Sequence, residues 1–406
     1  MKLRPVIGAL LVLMMPAAPS AVATTPALPA DTRFYHAPPN PGAVQQAKAL
    51  KQAGRTAAAA RITAMAAVPQ AVWFTEGTPS EVGAYATEII DAAKDDGSVP
   101  VVVAYNVPGR DCGSYSGGGA ATGTAYRNWI DAIVDALGQT KAVVIVEPDG
   151  LALLPSDCGL ADPYNRVSLL SYAAHAFLAD ANALVYMDAG NSNWNTVGLM
   201  AQRLVAIGVD EIAGFALNVS NFQYTDNSTQ YGTWVSKCIA YGTYVSPGNF
   251  DECPDQYGSV DGIQLSSFGH WSDTAAKAKF NTSAENAHYS SLLGATQPTT
   301  HFVIDTSRNA RGPWSGTNAH PQSHDDTEAW CNPPGRGGGA RPSASTGKTL
   351  VDAYLWIKLP GESDGKCYRW TDGPNDPVFG IEDPDAGAWF RKTALQMANN
   401  AIPVFP

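Results

Sequence analysis

Residues 142–146 read Ala-Val-Val-Ile-Val and run straight into Glu147-Pro148-Asp149-Gly150. An unbroken apolar, β-branched run of this length suits a strand buried on both faces, as in a parallel sheet. Proline and glycine then stop the strand and turn the chain. Two carboxylates are thereby delivered to the C-terminal lip of a buried strand. In β/α barrels that lip is where chemistry is done. A carboxyl group held there is partly desolvated, which raises its pKa and keeps it protonated near neutrality. A general acid needs that state. On its own, Glu-Pro-Asp reads more simply as a cap followed by an Asx-turn, so the rest of the chain has to decide.

The pattern recurs. Strands are expected at 71–74, 99–105, 142–146, 184–188, 212–217, 301–305 and 351–357, with amphipathic helices at 81–93, 126–137, 165–179 and 194–207 between them. From Asp31 an extended lead-in runs into a further helix before the first strand. Strand, crossover helix and parallel strand in alternation is the α/β signature. The count is seven strands, not eight, so the expected fold is a distorted, incomplete TIM-like parallel β/α barrel. Two long loop regions interrupt it. Residues 218–300 carry many Tyr, Ser, Gly and Asn and one helix at roughly 274–293, and residues 310–349 are glycine-rich. Loops this long in a compact domain are usually functional.

The N-terminus stands outside this pattern. Lys2 and Arg4 precede an apolar run, and small residues follow up to Ala21-Val22-Ala23. Basic region, apolar region and Ala-x-Ala site make a secretory signal peptide over 1–23. A Pro/Ala/Thr-rich flexible segment over 24–32 follows, and then one catalytic domain over 33–406. The apolar run is too short to span a bilayer, so a secreted, soluble, monomeric protein is expected. Six cysteines suit that compartment. Their positions suggest the bridges Cys112–Cys158, Cys238–Cys253 and Cys331–Cys367. Zinc is disfavoured, because no CxxC and no spaced histidine pair occurs. A net charge of −11 argues against nucleic acid or anionic membrane as partner. Charged residues make up only 16%, beside ten Trp and sixteen Tyr. Such a surface suits an uncharged ligand with flat apolar faces, such as a sugar.

Nearly every strand ends in a polar or acidic residue followed by Gly or Pro. The second gives Tyr105 and then Arg110-Asp111-Cys112, the third Glu147 and Asp149, and the fourth Asp188 with Trp194 beyond it. The fifth gives Asn218 and Asn221, the sixth Asp305 and Arg308, and the seventh Lys358, Glu362 and Asp364. In a barrel these points converge on one face, where at least five carboxylates would meet Arg110, Arg308 and Lys358. Crowded carboxylates cannot all ionise, and their pKa values are pushed apart. With no nucleophilic Ser or Cys setting, no metal-spaced His and no phosphate loop, paired carboxylates point to glycoside hydrolysis. A hard-metal site is the rival. The interleaved Arg and Lys would compete with a cation, and no metal or other cofactor is expected.

The blocks VVVAYNVPGRDCGSYSGGG and AVVIVEPDGLA resemble the two signature motifs of glycoside hydrolase family six, the cellulases. YMDAG, DTSRN, WCNPPGRGGGARP and WIKLPGESDG are similar to further family blocks in the same order. The resemblance runs from about Arg33 to the C-terminus. It implies a distorted seven-stranded barrel and inverting hydrolysis of β-1,4-glucan. It implies that Asp149 is the general acid and that Asp111 raises its pKa and can relay a proton from water. Tyr105 would stand near the subsite where the sugar is distorted. Asp364 would be the base, with a water chain to Asp111 as the competing account. Asp188, Lys358 and Glu362 fall on substrate-binding positions, and Trp73, Trp194 and Trp330 on aromatic platforms. Cys112–Cys158 and Cys331–Cys367 match the family's two bridges.

Two positions depart from the family pattern. Asn191 stands where histidine is frequent after Asp-Ala-Gly, and Ser116 is the counterpart of a loop serine that holds the attacking water. Inversion requires acid and base to stand ~6.5–9.5 Å apart to admit that water. The loop after Asp364 reads as shorter than in the family's tunnel-forming members, which favours an open cleft and an endoglucanase. The long 218–300 insertion could roof one end and favour a cellobiohydrolase. A glucan-binding protein without activity would lack the acid, yet Asp149 and Asp111 are both present.

Overall fold

The computed structural model describes residues 28–180, 182–316, 328–369 and 371–406. The expected signal peptide lies outside the described residues. Leu28, within the segment expected to be flexible, is buried in the same cluster as Phe34.

Seven strands form one parallel sheet in sequential order: β1 (Val72–Phe74), β2 (Val101–Ala104), β3 (Ala142–Val146), β4 (Ala183–Asp188), β5 (Gly214–Leu217), β6 (His301–Asp305) and β7 (Val351–Leu355). All five residues of β3 and all six of β4 are buried, as the continuous apolar runs require. Their side chains alternate between two cores. Val101, Val103, Val143, Ile145, Leu184 and Tyr186 point into the barrel. Val102, Ala104, Val144, Val146, Val185 and Met187 face the helices, which is the period-two pattern of a strand. Among the described residues β1 and β7 share no ladder. The open edges meet through Ala71 N–H to the Trp356 carbonyl at 2.9 Å and Trp73 Nε1–H to the Ile357 carbonyl at 2.8 Å. The sheet is therefore a curled, incomplete barrel of the α/β class.

Helices α1 (Pro41–Gln52) and α2 (Thr56–Ala66) precede β1. The crossover helices α3 (Pro79–Asp96), α4 (Gly123–Leu137), α5 (Arg166–Asp180) and α6 (Val197–Ala206) follow β1 to β4 in turn. Their starts are set by local chemistry. Thr78 and Glu81 form a capping box on α3, with Pro79 in the first turn. The hydroxyls of Thr122 and Thr196 accept from Ala125 N–H and Leu199 N–H. Because α6 starts only at Val197, Trp194 stays in the loop before it.

Two elements of the long 218–300 region differ from the sequence reading. Helix α7 (Thr225–Ala240) lies in what reads as loop, and α8 (Ser283–Leu293) is shorter than the helix expected at 274–293. In 272–282 the side chains of Ser272 and Asn281 take up backbone groups of Thr274, Ala275 and Ser283, which competes with helix formation. Helix α9 (Arg391–Asn399) packs with α1 and α2 in a third core that includes Trp356, just beyond β7. Trp356 is buried there and Trp389 is packed against the same cluster. The three disulfides are Cys112–Cys158, Cys238–Cys253 and Cys331–Cys367, the expected pairing.

Candidate active site

The strand exits turn sharply upward at the C-terminal end of the sheet. Nine non-glycine residues have positive φ among the described residues. Seven of them border this end: Asp111, Cys112, Glu147, Asp149, Asn218, Ser220 and Asn332. Such backbone is sparsely populated for residues with a Cβ, and it gathers where surrounding structure fixes a functional geometry.

The expected crowd of carboxylates separates into two tiers. The lower tier is buried and ties neighbouring strand exits together. Glu147 accepts from Asn106 N–H at 2.9 Å and Val107 N–H at 3.0 Å, joining the exits of β3 and β2. Asp188 Oδ1 accepts from Asp149 N–H at 2.9 Å and Gly190 N–H at 3.0 Å, fixing the backbone that carries Asp149. Asp305 accepts from Ser220, Ser307, Ile357 and Lys358 N–H, linking the exits of β5, β6 and β7. Burial pushes all three carboxyls above the usual carboxylate range, Glu147 to about 7. Asp188 and Asp305 therefore hold up the floor of the site and do not line it. The same correction applies to Asn218, which is fully buried and bonds the Asp305 carbonyl and Gln223 N–H.

The upper tier faces a cleft of about 1010 Å³. Trp73, Tyr105, Asp111, Ser116, Asp149, Trp194, Asn221, Trp330, Lys358, Glu362 and Asp364 all line it. Eleven of the fourteen expected catalytic and binding residues thus share one cavity, and Asp188, Asn218 and Arg308 lie behind its wall. Arg308 is 2% exposed, stacks over the Phe222 ring and pairs with Asp364 at 2.8 Å. Trp194 packs over Gly190, where an added Cβ would come within 3.0 Å of its ring.

Within the cleft the carboxyls differ in surroundings. The side chain of Asp149 makes no hydrogen bond to any described residue. Burial, then the charges of Asp111 and Asp364, push it up to about 7, against a smaller opposing pull from Lys358. Asp111 Oδ2 accepts from Ser116 N–H at 2.9 Å, and burial raises its carboxyl more than that bond and Arg110 lower it. Asp364 is held at both oxygens, by Arg308 on Oδ1 and Asn332 N–H on Oδ2. The Tyr105 ring lies edge-on to Trp73 at 5.5 Å and under Arg110 at 4.5 Å. Burial, then Asp149 and Asp111, push its phenol up, so it stays a neutral hydroxyl. Lys358 pairs with Glu362 at 3.5 Å and lies 5.7 Å from the Trp73 ring. Among the described residues one trio of potential metal donors falls together, Cys367, Asp376 and Asp383. Cys367 is oxidised in a disulfide and Asp376 is paired with Arg369, so the trio is unsuited to a cation.

The family model for glycosyl hydrolases family 6 matches residues 29–401.

The chain belongs to glycosyl hydrolases family 6.

Among relatives of this family-6 chain, endoglucanase A of Cellulomonas fimi is 33% identical over 83% of the chain and 55% of its own length. The chain thus spans about half the length of that relative. Endoglucanase 1 of Streptomyces halstedii is 34% identical, with 90% of this chain and 92% of the relative covered. A probable 1,4-β-D-glucan cellobiohydrolase C of Aspergillus fumigatus is 30% identical over 85% of the chain and 72% of its own length. The structure of the endoglucanase Cel6 from Mycobacterium tuberculosis, in complex with methyl-cellobiosyl-4-deoxy-4-thio-β-D-cellobioside, superposes with a TM-score of 0.64 at 34% identity, covering 91% and 98% of the two chains.

Several lining residues of this family-6 cleft were not singled out from sequence. Tyr115 bonds Glu328 at 2.6 Å and packs against Gly365, whose φ is +140° and where an added Cβ would meet the Tyr115 Cβ at 2.4 Å. Trp314 stacks with Arg369 at 4.9 Å. Phe268, from the long 218–300 insertion, is 53% exposed on the cleft wall. Its position is fixed by a bond from its N–H to Ser266 Oγ at 3.3 Å and by the neighbouring Gly269 against the Phe280 ring. A ring held open to water on a cleft wall offers a flat apolar face on which a ligand can stack. Phe268→Ala is expected to raise KM about three- to tenfold on long β-1,4-linked oligosaccharides, with the shortest cleaved substrates unaffected. Equal effects at all chain lengths would remove Phe268 from the binding surface.

Proposed function

We propose that this chain is an exported endo-β-1,4-glucanase that hydrolyses internal bonds of cellulose and related β-glucans with inversion. The observation that carries the reading is Asp149. Its carboxyl is desolvated, unbonded to the described residues and opposed by Asp111 and Asp364 in an aromatic-lined cleft. A neutral acid there can give its proton to the glycosidic oxygen as the C1–O bond breaks. Water then attacks C1 from the opposite face and loses its proton to Asp111 or Asp364, so the anomeric configuration inverts. Asp111 has only one oxygen engaged, whereas both oxygens of Asp364 are held. This favours Asp111 as the group that receives the water's proton, with Ser116 on the same loop and Asp364 orienting the water. Tyr105 stays neutral beside the distorted sugar. Trp73, Trp194 and Trp330 stack on pyranose faces, and Lys358, Glu362 and Asn221 bond hydroxyls.

Trp330 is 44% exposed. A platform inside a tunnel would be covered, so this exposure supports an open cleft and internal cutting. The relatives described as endoglucanases support the same choice, and those described as cellobiohydrolases keep the exo reading as the alternative. Viscometry on a soluble cellulose derivative separates them. An endo-acting enzyme collapses viscosity before much reducing sugar appears, whereas cellobiose release with viscosity preserved would establish exo action.

A further inference from the structure

Behind the cleft, the loop that carries Asp364 is joined to the loop after β6 by a compact polar network. Asn332 is its centre. It is 3% exposed and takes a φ of +42°, a region that asparagine tolerates better than most residues. Its N–H donates to Asp364 Oδ2 at 3.0 Å, and its Oδ1 accepts from Asp364 N–H at 2.8 Å. Its Nδ2 donates to Asp383 Oδ2 at 2.9 Å, with Ser363 Oγ and Gly365 carbonyl at 3.0 Å. These partners fix which way the amide points, because only the oxygen can accept from Asp364 N–H. The Asn332 carbonyl accepts from Arg369 Nη2 at 3.1 Å. Arg369 is in turn paired with Asp376 at 3.1 Å, both side chains fully buried. The Cys331–Cys367 disulfide closes a covalent ring around the same bonds.

We propose that Asn332, held by Asp383, is the positioning residue of Asp364, setting the direction in which that carboxylate meets the attacking water. Arg308 alone fixes one oxygen of Asp364 and leaves the carboxylate a pivot about the ion pair. The Asn332 backbone N–H removes the pivot by gripping the second oxygen, and the Asn332 side chain, bonded to Asp364 N–H, Ser363, Gly365 and Asp383, holds that N–H in place. Asp383 matters as an acceptor. Burial, which outweighs the Asn332 bond and is reinforced by the charge of Asp376, pushes it up to about 7, and an asparagine at this place resembles its neutral form. The inference rests on the reading that Asp364 takes part in orienting or activating the water.

The test is a double-mutant cycle on a soluble β-1,4-glucan. Asn332→Ala is expected to lower kcat about 10- to 100-fold, the cost of a misplaced reacting group, with KM changed less than about twofold. Combined with Asp364→Ala it should add almost nothing, because both changes remove one function. Losses that multiply would overturn the inference, as would an unimpaired Asn332→Ala beside an impaired Asp364→Ala. An unimpaired Asp364→Ala would sink the reading of Asp364 itself, and the inference with it. If Asn332→Ala does not fold, the Asp383 pair decides. Asp383→Asn should keep kcat within about threefold and Asp383→Ala should repeat the kcat loss, whereas equal loss in both variants would overturn the proposal.

Discussion

Asp149→Ala should lower turnover on cellulose about a thousandfold, within the range that a positioned general acid supplies. On an aryl cellooligosaccharide whose leaving group needs no protonation, the loss should stay below about tenfold. Equal losses on the two substrates would show that Asp149 does something other than protonate the leaving oxygen. The pH profile gives a second reading. Asp149 is pushed up to about 7 and works only while protonated, so kcat/KM should fall as pH rises through that value. Asp111 is the largest charge raising it. Asp111→Asn should therefore lower the pKa of Asp149 and move the alkaline limb towards acid, whatever it does to the rate. In Asp149→Ala, assayed on the activated substrate, the alkaline limb should vanish.

The central strands were legible because a strand buried on both faces is apolar along nearly its whole length, as β2 to β5 are, whereas β7, with Asp352 and Tyr354 half-buried on one face, carries an alternating pattern. The lip of the sheet was legible because each run stops at a polar residue, with Gly or Pro close behind in most of them. Where each polar side chain points was not. Asp149 and Asp188 both follow apolar runs, yet one opens into the cleft and the other turns down to the backbone of its neighbour. That choice depends on a positive φ at Asp149 and on an adjacent strand, neither of which a linear pattern contains. Asn218 and Arg308 were placed in the cleft by type and position, and packing behind the wall decided otherwise. Helix α7 was missed because Thr, Asn, Ser, Gln and Gly dilute its first half. Its buried face of Tyr231, Trp234, Val235, Cys238 and Ile239 has a helical period, but long-range packing had to outweigh weak local propensity. Phe268 lies in an irregular loop with no period, so no sequence signal separated it from the other aromatic residues.

Asp305→Ala should be among the most destabilising single changes in the chain, although Asp305 touches no substrate. Its two oxygens accept from Ser307 N–H at 2.9 Å, Lys358 N–H at 3.0 Å, and Ser220 and Ile357 N–H at 3.2 Å. Alanine would leave these amides unpaired at the junction of three strands, and a buried unpaired donor costs about 1–3 kcal/mol. Water entering the small cavity would recover part of that, so a net loss of about 3–5 kcal/mol is expected. For a chain of this size that lowers Tm by roughly 4–6 °C. Asp305→Asn keeps one acceptor but turns an NH2 group toward the same donors, and should fall between the two. The Asp305 bond to Lys358 N–H also predicts that activity declines below the new melting temperature, because Lys358 and Glu362 move with that turn. A melting temperature for Asp305→Ala within about 2 °C of the parent would mean that the buried tier of carboxylates is not what holds the strand exits in register. The upper tier would then owe its geometry to the disulfides and the wall helices instead.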